Sequence, residues 1–162
     1  MKYIFVLGIF FVLTVTGCTK KETLPKEAKT YHQVIRQLEQ KKMKEQELPC
    51  HLEVRLEKTE HGEIMYTVIL DEPKEEMKQI EALFMPLDNP LGTYPSIGIF
   101  DDKLSMIPGK VDKEHDIVKG IVLSGYLDSK KEVKDYHGTF RLYLHYQTKE
   151  NREKTIYYEK KI

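Results

Sequence analysis

Tryptophan is missing from this chain, cysteine occurs only twice, and neither sign of charge is in excess. Two cysteines form at most one bridge, which excludes a scaffold stapled by several disulfides. Twenty-six Lys and Arg balance 26 Asp and Glu. A protein that tracks phosphates needs a basic surplus, so no nucleic acid is expected as a partner. Length is limited too: 162 residues suit one domain and exclude a two-lobed solute receptor or a large α/β enzyme. Hydrophobic residues make up 40% of the chain, enough for one core even though many are spent in the first seventeen positions. No internal repeat, low-complexity segment or Gly-rich phosphate loop is present.

What is there begins at the N-terminus. Residues 1–18 read MKYIFVLGIFFVLTVTGC. Lys2 supplies a positive start, Tyr3 to Val15 is uncharged, and Thr16-Gly17 lead to Cys18. No A-x-A-like cleavage site stands near residue 17. A bilayer span needs about 20 apolar residues. The uncharged run ends sooner, at Thr19, and Lys20-Lys21-Glu22 follow at once. These residues resemble the signal peptide of bacterial lipoproteins, with Val15-Thr16-Gly17-Cys18 as the lipobox. The resemblance implies that residues 1–17 are removed and that the Cys18 thiol takes a diacylglyceryl group. It also implies acylation, with fatty acids such as palmitate, and a place on the extracytoplasmic face of the cell membrane. Two acyl chains anchor a protein stably, at about 0.8 kcal/mol per buried methylene.

Residues 18–26 are polar, contain Pro25, and read as a tether. Over 27–47, Tyr31, Val34, Ile35 and Leu38 fall at i, i+3, i+4 and i+7, the pattern of an amphipathic helix. Thr30-x-x-Gln33 offers a capping box, and Leu48-Pro49 a stop. The stripe is narrow, so the helix either packs by one face or serves as a stalk. From 48 to 162 the period drops to two. Leu52, Val54 and Leu56 alternate with Glu53, Arg55 and Glu57. Glu63–Asp71, Ile80–Pro86, Ser96–Phe100, Leu104–Ile107, Ile117–Leu127, Thr139–Thr148 and Lys154–Ile162 supply further strands. Eight short strands with turns between them predict a mainly β fold, an antiparallel immunoglobulin-like sandwich preceded by one helix. The segments Pro95-Ser96-Ile97-Gly98-Ile99-Phe100-Asp101, Ile107-Pro108-Gly109 and Gly120-Ile121-Val122-Leu123-Ser124-Gly125 resemble small immunoglobulin-like lipoproteins of single-membrane bacteria. That resemblance carries no activity and no functional residues.

Motifs for chemistry are weak. Ser124 lacks the first Gly of a nucleophile elbow and no helical pattern follows it, so it reads as a strand residue. Cys50 adjoins His51, but neighbours in a strand point to opposite faces, so the pair diverges. Asp112-Lys113-Glu114-His115-Asp116 holds ligand-type side chains in no calcium-loop spacing and reads as a solvated loop. No cofactor and no metal site is expected.

Aromatic placement says more. In Phe140-Arg141-Leu142-Tyr143-Leu144-His145-Tyr146, the even positions form the core face. Arg141, Tyr143 and His145 then share the other face, with Tyr157 or Tyr158 across from them on the last strand. The patch suits stacking on a sugar ring or a partner's side chain; the plainer alternative is cross-strand pairing that stabilises the hairpin. The leading expectation is a lipid-anchored, non-enzymatic lipoprotein whose sandwich binds a protein or glycan. Second is an accessory subunit of an envelope complex that offers the Tyr31–Leu38 helix face. Third is a hydrolase or metal-dependent enzyme with an unfamiliar site.

Overall fold

The computed structural model describes residues 24–43, 46–88, 93–129 and 131–162; the lipobox, Cys18 and most of the expected tether lie outside them. Helix α1 (Lys26–Gln40) starts directly after Pro25, whose carbonyl accepts from the Lys29 N–H at 3.1 Å. Proline's fixed φ suits this entry to a helix. The Thr30 hydroxyl donates back to the Lys26 carbonyl inside the helix, so Thr30 and Gln33 form no capping box. The helix also ends at Gln40, before the expected stop at 47, with Lys41 extended. At that end Arg141 Nη1 donates to the carbonyls of Leu38 and Glu39, groups that a helix end leaves unpaired.

Eight strands follow among the described residues. β1 (His51–Lys58), β2 (Ile64–Asp71) and β6 (Gly120–Leu127) form one antiparallel sheet in the order β1-β2-β6. β3 (Met77–Pro86), β4 (Ser96–Ile97), β7 (Thr139–Gln147) and β8 (Glu153–Lys161) form the second, in the order β4-β3-β7-β8, with β5 (Leu104–Met106) paired to the start of β3. Strands 1, 2 and 6 stand where A, B and E stand in an immunoglobulin sandwich, and strands 3, 7 and 8 where C, F and G stand. Among the described residues the fold is a mainly β, antiparallel sandwich with one α-helix.

Alternation sets what meets between the sheets. β2 sends Ile64, Tyr66, Val68 and Leu70 inward, and β6 sends Ile121, Leu123 and Leu127. They face Ala82 and Phe84 of β3 and Phe140, Leu142, Leu144 and Tyr146 of β7. The Phe84 and Phe140 rings stack with centroids 5.2 Å apart, and Tyr66 meets Phe140 edge-on at 5.6 Å. Gly125 sits opposite Tyr66 in the register, and a Cβ there would lie 2.4 Å from the Tyr66 hydroxyl. The ring occupies the space that a side chain would need.

A second core lies outside this one. Leu83 and Met85 of β3, with Tyr143 of β7, point away from the sandwich interior and meet Tyr31, Val34 and Leu38 of α1. Tyr94 and Ile99 close the same cluster. The Tyr31 hydroxyl both donates to the Tyr94 carbonyl (2.9 Å) and accepts from the Tyr94 N–H (2.5 Å). The helix is therefore no stalk. It forms a third layer that buries one face of the second sheet.

Candidate functional site

Strand alternation places Arg141, Tyr143 and His145 on one face of β7, and the register sets Tyr157 opposite Tyr143. The four residues meet as the periodicity predicts, but not in the open. α1 lies over Arg141, Tyr143 and Tyr157, and Tyr143 is only 8% exposed. Its ring meets that of Tyr157 at 5.7 Å and runs parallel to His145 at 6.3 Å. Burial, reinforced by the Glu81 carboxylate that its hydroxyl meets at 3.4 Å, pushes the Tyr143 hydroxyl well above its ordinary pKa. Arg141 pairs with Glu159 at 3.0 Å and caps the end of α1. Tyr157 donates to the Gln37 side chain at 2.8 Å, while the Lys41 ammonium lies 3.4 Å from its ring centroid, a cation–π contact. His145 bonds Thr155 at 2.8 Å and Glu153 at 2.9 Å.

The expected open patch is thus a docking surface for the chain's own helix. Tyr31, Val34 and Leu38, the helix face that the accessory-subunit reading offers to a partner, are buried against the second sheet. No exposed apolar stripe remains on that helix face for a partner. A cue to the cover stands in the sequence: Ala82-Leu83-Phe84-Met85 is continuously apolar, the mark of a strand buried on both faces.

One concavity of about 350 Å³ opens where the chain enters β1, between Glu47, Leu48 and Pro49 on one side and Lys74, Glu75, Tyr146, Lys154 and Ile156 on the other. Three charged or polar groups converge there. The Tyr146 hydroxyl donates to Glu75 Oε1 at 2.5 Å, and Lys154 Nζ donates to both Glu75 oxygens at 2.8 and 3.0 Å. The lysine, then the tyrosine, hold the Glu75 carboxyl below the usual carboxylate range. Burial, with Glu75 beside it, raises Tyr146. Glu75 is accordingly an engaged anion and Tyr146 a neutral donor. The trio ties the loop after β2 to β7 and β8.

The neighbouring Cys50 is 3% exposed and unbridged. Burial, then the Asp71 carboxylate, pushes its thiol up to about 11, so at neutral pH it is no thiolate nucleophile. His51 points outward and bonds Asp71 at 2.8 Å, so the adjacent residues diverge. Ser124 stands exposed on β6 across from Thr67. Asp112 bonds His115 at 2.9 Å at an exposed turn. Among the described residues no cluster of three or more His, Cys, Asp or Glu is placed to hold a metal ion. Nor is any described helix long and apolar enough to cross a membrane.

The outer face of the first sheet differs from that of the second. The register sets Val122 beside Ile69 and Tyr126 beside Met65, and Val122 and Tyr126 are 62% and 56% exposed. On the other side of β2, Glu53 and Arg55 of β1, paired at 2.7 Å, stand beside Ile69 and Thr67. No family model matches this chain, and neither the curated proteins nor the solved structures contain a match to it.

Proposed function

We propose that the chain is a lipid-anchored, extracytoplasmic lipoprotein whose immunoglobulin-like sandwich is a binding module for a protein or glycan partner. The observation that carries the reading is Val15-Thr16-Gly17-Cys18, which closes an uncharged run only eight residues before Lys26. The Cys18 sulfur takes the diacylglyceryl group, the acyl chains hold the membrane, and the sandwich presents its surface outside.

With α1 on the second sheet, the reading assigns the partner to the outer face of the first. Val122 and Tyr126 offer apolar and aromatic area there, beside the polar Thr67–Ser124 pair. Aromatic anchors ringed by polar groups are what interface centres are made of. Catalysis forms no part of the reading. The thiol is protonated, and the Glu75 carboxylate is engaged by Tyr146 and Lys154.

The test is site-specific photocrosslinking on intact cells. A crosslinker at Val122 should give one discrete adduct, whereas one at Arg36, exposed on α1, should give none. Equal labelling from both positions, or none from Val122, would refute the assignment of the first sheet's face.

A further inference from the structure

The lipid anchor and the helix stand close together in the chain, and that limits how the sandwich sits on a bilayer. This step rests on lipidation of Cys18. From Cys18 to Lys26, the first residue of α1, there are eight residue steps, and each spans at most about 3.3–3.6 Å, so the tether reaches roughly 26–29 Å. The start of α1 therefore stays within that distance of the membrane surface. α1 does not swing on the domain, because Tyr31, Val34 and Leu38 are buried and Arg141 holds its far end. The end of the domain that carries the N-terminus of α1 is the end turned to the bilayer.

Two large apolar side chains are exposed at that end. Leu24, just before the helix, is 55% exposed, and Phe100 is 54% exposed. Phe100 belongs to the segment after β4, which lines one groove with the first turn of α1: Lys26, Glu27 and Thr30 face Gly98, Ile99 and Lys103 across it. The Phe100 ring lies 5.2 Å from that of Tyr31. Its outward position is set by its neighbours. Gly98 takes φ +73°, with its backbone pressed on the Ile80 carbonyl, and Ile99 is buried under α1. The next residue is left pointing out.

We infer that Leu24 and Phe100 insert into the membrane interface and make a second, non-covalent contact that fixes the orientation of the sandwich. Aromatic and aliphatic side chains favour the headgroup boundary, about 5–10 Å deep. Charges nearby are mixed in sign, with Lys26 and Lys29 against Glu27, Asp101 and Asp102. The contact is therefore apolar and does not require anionic lipid. Val122, exposed on the outer face of the first sheet, is no part of this contact.

The absence of tryptophan makes the test clean. Phe100→Trp and, separately, Val122→Trp are introduced into the full, lipidated protein, which is reconstituted in phosphatidylcholine vesicles. Palmitate incorporation and vesicle flotation are measured on the same samples. The Phe100→Trp emission should shift to the blue, lose quenching by aqueous iodide, and gain quenching by lipids brominated at shallow carbons. Val122→Trp should stay iodide-accessible, and high salt should change neither. A lipidated, floating protein whose Phe100→Trp is as iodide-accessible as Val122→Trp overturns the inference while leaving the anchor standing. Loss of palmitate incorporation removes the tether argument and overturns both.

Discussion

Truncating Tyr143 to alanine tests whether α1 belongs to the folded body. The side chain is 8% exposed, packed among Leu38, Leu83, Met85 and the Tyr157 ring. Burying an aromatic side chain removes about 150–250 Å² from water. At about 25 cal/mol per Å² that is roughly 4–6 kcal/mol at most, part of which the remaining methyl retains. Large-to-small changes at buried aromatic sites cost about 3–5 kcal/mol, and Tyr143→Ala should fall there. The hydroxyl contributes little, because its bond to Glu81 is long at 3.4 Å; Tyr143→Phe should cost under about 1 kcal/mol. For a body of this size 1 kcal/mol shifts Tm by about 3 °C, so the alanine variant should melt roughly 10–15 °C lower. Thermal unfolding followed by far-UV circular dichroism reads this directly, with Val122→Ala, 62% exposed, as a control within about 0.5 kcal/mol of the parent. If Tyr143→Ala shifted Tm no further than Val122→Ala, the face would be open to water and the docked helix wrong.

Gly98→Ala should destabilise by about 2–3 kcal/mol or more, because φ is +73° and the new Cβ would lie 2.1 Å from the Ile80 carbonyl oxygen; an unchanged urea midpoint would contradict the close approach. Cys50 should resist thiol reagents at pH 8 in the native protein and react once the protein is unfolded. Its folded pKa of about 11 exceeds the unfolded value of about 8.5, so its contribution to stability is intact below about pH 8.5 and lost as pH rises toward 11. Rapid native labelling would place it at the surface. Glu75 acts in the opposite direction. Its folded pKa is lowered by Lys154 and Tyr146, so its contribution is present above the unfolded value of about 4.3 and is lost as pH falls through the folded one. Glu75→Gln should flatten the acid limb of a stability–pH curve, and an unaltered limb would mean that the trio carries no net weight.

The strands were legible because one face of each meets a core and the other meets water or a different layer. Period two in Leu52-Val54-Leu56 and in Phe140-Leu142-Leu144-Tyr146 marks that division. The sandwich followed from their number and spacing. What periodicity could not show is what covers an outer face. Alternation put Arg141, Tyr143 and His145 together correctly, yet the same residues are compatible with solvent, a partner or the chain's own helix. Leu83 and Met85 held the answer, since a strand wetted on one side has no reason to carry them. The end of α1 was hidden for a related reason. Nothing in Gln40-Lys41-Lys42 breaks a helix, and the cap comes from Arg141, about a hundred positions along the chain. Contacts of that range leave no local mark.

The measurement that tests the account most directly is metabolic labelling with palmitate of the full chain and of Cys18→Ala, followed by membrane fractionation. If Cys18 carries the lipid, the parent takes up label and stays with the membrane, and the variant loses both. Label that persists in Cys18→Ala, or a parent chain that takes up none, would contradict it.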